Sequence, residues 1–181
     1  MKKYLIGMIA VAGIILMMYW YKESHQVRIP RYREVKMITW EKLDTFVFVN
    51  PMYRVVYPDY FEVNTAEQDS GHVSFYYTIN GNSVALRSYS IPRYELWDVN
   101  TFANSVERFI MEIGNDTITM KELHLNYFYM ESRAKNNEYK CYEKYVLGDE
   151  DIFVLALGYP EGIEDNQVER LKALVHDWNP K

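Results

Sequence analysis

The stretch DIFVLALGY, residues 151–159, decides the fold. Its apolar residues run without interruption from Ile152 to Leu157. Successive side chains of a β-strand point to opposite faces of the sheet, so both faces of this strand are apolar. A strand of this kind is stable only where other elements cover the sheet on both sides. We therefore predict that residues 151–159 form the central strand of a sheet with a layer packed on each face.

Two stretches predict the amphipathic helices that could form those layers. Residues 98–113 and 164–178 carry apolar side chains three and four positions apart, which is the spacing of one helical face. Asp98 or Asn100 can cap the start of the first helix, and Gly114 follows its end. The expected buried positions are Val99, Phe102, Ala103, Val106, Phe109, Ile110 and Ile113 in the first helix, and Val168, Leu171, Leu174, Val175 and Trp178 in the second.

The remaining strands are predicted from β-branched and aromatic runs bounded by turn residues. Asn80-Gly81-Asn82 separates two such runs, and Asn-Gly is a strong hairpin signal because both central turn positions need a positive φ. The predicted strands are 45–49, 53–58, 61–63, 72–79 and 83–90 before the first helix, and 123–131, 138–147 and 151–159 after it. This order predicts an α+β domain with an antiparallel sheet, one helix after the first strands and a C-terminal helix.

The chain resembles the Mog1/PsbP-like fold, an α/β/α sandwich. The resemblance rests on Tyr57-Pro58-Asp59-Tyr60-Phe61 and on the strand 153–160 that leads into the last amphipathic helix, and it covers Tyr53 to Trp178. Members of this fold class are mostly binding, assembly or chaperone-like modules without shared catalytic residues. The resemblance therefore implies a binding or assembly module, and it supplies no site residues.

The N-terminus predicts a membrane anchor. Tyr4 to Tyr21 contains 18 residues without a charge, which is long enough for a spanning helix. The bulky residues Tyr19, Trp20 and Tyr21 do not suit signal cleavage, and they do suit the aromatic belt at a membrane interface. We therefore expect a signal-anchor transmembrane helix over residues 1–21 that contacts membrane lipid through residues 4–21. A cleaved signal is the alternative.

Two rules disagree about the orientation of that anchor. Lys2 and Lys3 before a short apolar run are typical of a bacterial export signal. The other flank carries five basic residues between Lys22 and Lys36, which favours a cytoplasmic domain. We expect a single-pass protein of the cell membrane with an extracytoplasmic domain, and the cytoplasmic orientation stays open.

Charge divides the chain into a basic linker, residues 22–42, and a globular domain, residues 43–181. Residues 1–42 contain eight Lys/Arg and three Asp/Glu, so this segment is basic. Residues 43–181 contain twelve Lys/Arg and twenty-two Asp/Glu, so the domain is acidic. The acidic domain would repel a phosphate backbone, so nucleic acid is not expected as a partner. The single cysteine, Cys141, rules out a disulfide within the chain.

No catalytic, cofactor or metal motif is visible, and an enzyme is the less favoured class. The four histidines lack a ligand spacing, Cys141 is expected on a sheet face, and no phosphate-binding glycine loop occurs. The leading hypothesis is a membrane-anchored, non-enzymatic binding or assembly module with a protein partner. Its expected binding surface is an exposed sheet face with Tyr76, Tyr89, Tyr127, Tyr129, Tyr142 and Tyr145. The alternatives are a hydrolase whose carboxylates converge only in the fold, and a small-ligand sensor with a cavity between sheet and helices.

Overall fold

The computed structural model describes residues 42–64, 71–79, 81–94, 97–135, 138–163 and 165–180. The strands in these ranges are β1 (Leu43–Val49), β2 (Met52–Pro58), β3 (Glu62–Asn64), β4 (His72–Ile79), β5 (Asn82–Pro92), β6 (Thr117–Leu123), β7 (Tyr127–Arg133), β8 (Tyr139–Leu147) and β9 (Asp151–Pro160). The helices are α1 (Val99–Glu112) and α2 (Asp165–Asp177).

Seven strands form one antiparallel sheet in the order β3-β4-β5-β9-β8-β7-β6. The prediction that residues 151–159 form the central strand is confirmed, because β9 is fourth of the seven. β1 and β2 form a separate antiparallel pair joined by a cis Asn50-Pro51 peptide bond. The sequence predicted these two strands and did not predict that they leave the main sheet.

The two helices lie on opposite faces of the seven-stranded sheet, as the apolar pattern of β9 requires. On the α2 face, Phe153, Leu155 and Leu157 pack with α2 and with the β1–β2 pair. On the α1 face, Ile152 and Val154 pack with α1. Each predicted helical stripe is buried with one exception. In the first stripe Ile113 is 48% exposed, and in the second Leu174 is partly buried. The predicted burial of Ile113 is therefore wrong, because the helix ends before this residue.

The ends of α1 follow ordinary capping chemistry. Asp98 is the N-cap, and its carboxylate accepts a hydrogen bond from the Thr101 backbone N–H at 2.7 Å, so Asn100 is not the cap. Asn115 rather than Gly114 has the positive φ, at 57°. Gly114 is needed for space, because a Cβ there would lie 2.8 Å from the carbonyl oxygen of Ile110.

The β4–β5 hairpin is confirmed with a tight turn. Ile79 lies opposite Asn82, and Gly81 has a φ of 80°. Asn82 belongs to β5 rather than to the turn. A positive φ is inexpensive for glycine, which explains why the Asn-Gly pair stands at this position.

The predicted strand over residues 123–131 is confirmed for residues 127–131 and wrong in its start. The chain turns at residues 124–126, so β6 ends at Leu123 and β7 begins at Tyr127. The apolar alternation continues through this turn because Leu125 occupies an alternating position, yet its side chain is 98% exposed. Four strands, not three, therefore follow α1.

The predicted anchor, residues 1–21, and linker residues 22–41 lie outside the described residues. Within the part of the chain that the structure describes, neither helix is long and apolar enough to cross a membrane. The anchor therefore stays a prediction from the sequence.

The central position of β9 predicts an unequal response to two leucine truncations. Leu155 is fully buried at the centre of the sheet, so Leu155→Ala should lower the free energy of unfolding by about 2–5 kcal/mol. Leu125→Ala removes the same atoms from an exposed turn and should change it by less than about 0.5 kcal/mol. Urea unfolding of both variants measures the difference. Equal losses would show that the burial of β9 is not what stabilises the domain.

Candidate functional site

The six tyrosines of the expected binding surface lie on two opposite faces of the sheet. Residues of the same strand that differ by an odd number point to opposite faces. Tyr127, Tyr129 and Tyr142 are on the α2 face, whereas Tyr89 and Tyr145 are on the α1 face. Tyr76 also belongs to the α1 face, because its neighbour Phe75 is on the α2 face. The structure therefore brings the six together as two groups, and their binding role stays a prediction.

Three of these six tyrosines are buried and three are partly exposed. Tyr129, Tyr142 and Tyr145 keep at most 7% of their surface accessible. Tyr76, Tyr89 and Tyr127 are half-buried. Within the expected set, these last three are the ones with the most surface left for a partner.

Lys144 is the polar centre of the α2-face group. Its ammonium group donates hydrogen bonds to the carbonyl oxygens of His176 at 2.6 Å and Trp178 at 2.7 Å. These carbonyls lie at the C-terminal end of α2, where a cation is favoured by the helix dipole. The Tyr129 hydroxyl donates to the same His176 carbonyl at 3.0 Å. Burial lowers the pKa of Lys144.

Aromatic rings surround this lysine and continue to the surface. Its ammonium nitrogen lies 5.1 Å from the Tyr127 ring centroid and 5.3 Å from that of Tyr129, within the range of cation–π contacts. The His124 ring stacks on Tyr127 at 4.3 Å, and the His176 ring stacks on Tyr129 at 4.8 Å. The group is thus a packed platform that joins β7, β8 and the end of α2.

An exposed turn stands at the edge of this platform. We define the β6–β7 turn surface as Leu123, His124, Leu125 and Tyr127. Backbone hydrogen bonds close the turn, from His124 N–H to the Tyr127 carbonyl at 2.9 Å and from Leu147 N–H to the Asn126 carbonyl at 2.8 Å. Leu125 and Leu123 expose 98% and 40% of their surface. The turn therefore presents apolar side chains from a backbone held on both sides.

A buried polar network lies on the α1 face. Glu143 is 4% exposed, and its carboxylate accepts hydrogen bonds from the Tyr145 hydroxyl and the Cys141 thiol. The Tyr89 hydroxyl is hydrogen-bonded to that of Tyr145, which extends the network to β5. Burial raises the pKa of Glu143 to about 7, while the two hydrogen bonds oppose the rise. The network can therefore hold or release one proton near neutral pH.

Small residues leave room for this network at the centre of the sheet. Glu143 lies opposite Ala156 of β9, and Ala156 lies opposite Arg87 of β5. Cys141 lies opposite Gly158. Burial raises the pKa of the Cys141 thiol well above its ordinary value, so the sulfur stays protonated and is a poor nucleophile. The expectation of a core or sheet-face cysteine is confirmed, since Cys141 lies within β8.

An open groove of about 420 Å³ lies where β9 passes into α2. It is lined by Lys140, Tyr159, Pro160, Glu161, Gly162, Ile163, Val168, Glu169 and Lys172. Arg133 hydrogen-bonds to Glu161 and lowers the pKa of its carboxyl group. Lys172 lies 3.7 Å from Glu169. Two carboxyl groups that act as acid and base need different pKa values, so that one of them keeps its proton. The lowered pKa of Glu161 keeps this carboxyl group ionised, so it cannot be the acid.

Sequence reasoning missed Glu143, Lys144 and Leu125. A signal for the first two existed in the β8 segment, where Glu143 alternates with Cys141 and Tyr145 on one face. β8 is adjacent to the central strand, so most of its side chains are covered. An ionisable residue that shares a face with partly apolar neighbours in such a strand indicates a buried polar group. No comparable signal marked Leu125, because a turn leucine and a strand leucine look alike in the sequence.

The raised pKa of Glu143 predicts a pH-dependent difference between wild type and Glu143→Gln. The unfolded chain restores a pKa near 4.5, so the native state binds the proton more tightly than the unfolded state. The stability from this proton is fully present below pH 4.5 and is lost as the pH rises through 7. A difference of 2.5 pKa units corresponds to about 3 kcal/mol.

Urea unfolding at pH 4 and pH 8 tests this expectation. Glu143→Gln imitates the protonated acid and has no such pH dependence. The free energy of unfolding of the variant minus that of wild type should therefore be about 3 kcal/mol larger at pH 8 than at pH 4. Glu112→Gln, on the exposed side of α1, serves as the matched control. An unchanged difference between Glu143→Gln and wild type would show that the native state does not raise the pKa of Glu143.

Comparison with known proteins agrees with this architecture. No family model matches the chain, and no curated protein matches it. The solution structure of cyanobacterial PsbP from Synechocystis superposes with a TM-score of 0.54 at 13% sequence identity, covering 81% of this chain and 96% of that one. At this identity the likeness concerns the fold alone. It confirms the resemblance drawn from the sequence: the chain has a PsbP-like fold.

Proposed function

We propose that the protein is a membrane-anchored, non-enzymatic binding or assembly module, and that its β6–β7 turn surface contacts a partner protein. The PsbP-like fold supports a module of this type at a coarse level. The observation that carries the proposal is the Leu125 side chain, which is 98% exposed on a turn held by backbone hydrogen bonds.

An exposed leucine of this kind has the properties of an interface anchor. Interfaces obtain most of their binding energy from a few well-packed side chains near the centre of the contact, and tyrosine is among the enriched types. Here Leu125 follows His124, whose ring stacks on that of Tyr127 on the α2 face, while Leu123 lies opposite Phe128 on the α1 face. Because the turn is held in place, a partner would not have to order it, which reduces the entropic cost of binding.

The surroundings of the turn limit what kind of partner fits. Glu122, which is hydrogen-bonded to His124, and the exposed Asp177 place carboxylates near the apolar residues. A partner with an apolar pocket bordered by basic side chains would complement this surface. An anionic membrane surface would not complement it.

Membrane tethering is the second part of the proposal. The uncharged run Tyr4–Tyr21 supports an anchor, and the basic linker, residues 22–42, could extend for up to about 70 Å. The export-type N-terminus supports an extracytoplasmic domain, which places the partner in the cell envelope.

The two alternative functions have weaker support. A hydrolase would need a carboxyl group that serves as an acid within reach of a substrate, but Glu161 in the open groove is held ionised by Arg133 and Glu143 is buried. A small-ligand sensor would use the same groove. Its basic residues Lys140 and Lys172 already lie within 4 Å of carboxylates, which leaves less charge to attract a ligand.

Leu125→Asp tests the turn surface directly. A charge at the apolar centre of an interface should weaken partner binding by about 2 kcal/mol, or about thirtyfold. Met111→Asp is the matched control, because Met111 is 51% exposed on α1. The full chain and both variants are purified by affinity from mild detergent extracts, and the recovered partner is quantified per mole of bait.

Wild type and Met111→Asp should recover one partner in fixed stoichiometry, and Leu125→Asp should lose it. If all three proteins recover the same amount, the β6–β7 turn surface is not the contact. If wild type purifies alone under mild extraction, the binding-module proposal itself fails.

Topology fusions test the location of the domain. Alkaline phosphatase and green fluorescent protein are fused separately after Lys181 and expressed in a bacterial host. An exported domain should give active phosphatase and a dark fluorescent fusion. The reverse pattern would place the domain in the cytoplasm and show that the basic residues after the apolar run determine orientation.

A further inference from the structure

The strand edges of this protein differ in how well they are protected. An unprotected edge presents unpaired N–H and C=O groups and can accept a strand from another chain. In the seven-stranded sheet, the edge strand β3 has three residues, and β6 carries a register shift between Ile118 and Met120. Lys121 of β6 is also ion-paired with Glu107 of α1. Short strands, irregular register and lysine are the usual means of blocking an edge.

The outer edge of β2 is covered by the end of the chain. The Trp178 indole N–H donates to the carbonyl of Arg54 at 2.8 Å. The Arg54 N–H donates to the carbonyl of Pro180 at 3.3 Å. These contacts place the C-terminal residues along β2, so that β2 separates β1 from α2.

In the part of the chain that the structure describes, which begins at Lys42, the outer edge of β1 has none of these protections. β1 has seven residues in unbroken register with β2, no internal proline, and a single charged residue, Asp44. Within the ranges that the structure describes, β2 is its sole strand partner. The solvent-facing side chains of Leu43, Val47 and Val49 are 50%, 55% and 85% exposed. β1 is therefore a long apolar edge that can receive another strand.

The sequence of β1 indicates which strand fits. Residues 45–49 read TFVFV, which is nearly the same in both directions because threonine and valine have similar shapes. We infer that a second copy of this chain pairs with β1 in antiparallel register about Val47, and that the two copies form a continuous four-stranded sheet β2-β1-β1-β2. This inference goes beyond the proposed function; it does not depend on the β6–β7 turn surface, but it rests on the membrane tethering in that proposal.

The register about Val47 pairs like with like. Val47 faces Val47 of the other copy, and Thr45 faces Val49, so β-branched side chains meet on the solvent side. On the inner side Phe46 faces Phe48, and aromatic cross-strand pairs are favourable. Phe46 is partly buried and already packs edge-on against Phe75 at 6.0 Å, so an added ring would extend an existing aromatic cluster.

Membrane tethering would strengthen this contact. A single strand pair buries less surface than a stable interface between proteins free in solution requires. Two copies held in the same membrane meet at a much higher effective concentration than two free domains. The edge of β1 therefore fits an association of tethered copies.

Cysteine cross-linking of the full chain in isolated membranes, where the copies stay tethered, tests both the pairing and its register. Two directly opposed cysteines in an antiparallel pair can form a disulfide, whereas cysteines four residues out of register cannot. Val47→Cys should therefore form covalent dimers at least about tenfold faster than Thr45→Cys or Val49→Cys under the same oxidant. The double variant Thr45→Cys/Val49→Cys should cross-link rapidly, because this register opposes the two positions.

Met111→Cys is the control for random encounters, since Met111 is about as exposed as Val47. The native Cys141 is present in every variant and should not contribute, because its thiol is desolvated. Energy transfer between fluorescently tagged copies in the same membranes gives an independent measure of association. Val47→Lys sets two like charges opposite each other and should convert dimers to monomers.

Rapid cross-linking of Val47→Cys and of the double variant, with slow single controls, supports the inference. Cross-linking of Val47→Cys no faster than that of Met111→Cys would overturn it. A dimer that persists in Val47→Lys would also overturn it, because the association would then arise elsewhere in the chain.

Discussion

The rest of the structure depends on the burial of β9 from both sides. Its apolar residues alternate between two hydrophobic clusters, one with α2 and the β1–β2 pair and the other with α1. A strand of this composition cannot leave either face in water, so the two helices have to lie on opposite faces. The sheet order follows the same logic, since the most apolar strand takes the middle position and the strands with more exposed residues take the edges.

The strand next to β9 carries ionisable groups into both layers. Glu143 and Lys144 are adjacent in β8, and each is less than a tenth exposed, but they point to opposite faces. Lys144 is satisfied by carbonyls at the end of α2, and Glu143 by a hydroxyl and a thiol on the other face. The two charges therefore do not pair with each other. Each binds a different layer to the sheet, and such groups favour one arrangement of layers over its alternatives.

The features that could be predicted from the sequence are those with a local pattern. The strand 151–159, the hairpin at Gly81 and both helical stripes have an unambiguous period or turn signal. The strand 123–131 is wrong in its start because Leu125 continues the alternation through a turn that contains neither glycine nor proline. The separate β1–β2 pair depends on contacts between distant residues, which no local pattern encodes. The six tyrosines divide between two faces for a local reason, because strand parity alone separates Tyr142 from Tyr145.

The closure of β2 by residues 178–180 has a consequence for the order of folding. Arg54 and Trp178 are 124 residues apart in the chain, so this edge is completed only after almost the whole domain has been synthesised. Contacts between residues so far apart slow folding, because the intervening chain must first be ordered. During synthesis both strands of the first hairpin are therefore open to other chains. Nascent chains that lie close together on a polysome would be most vulnerable to mispairing at this hairpin. A chaperone that shields the hairpin would have its greatest effect before residue 178 emerges from the ribosome.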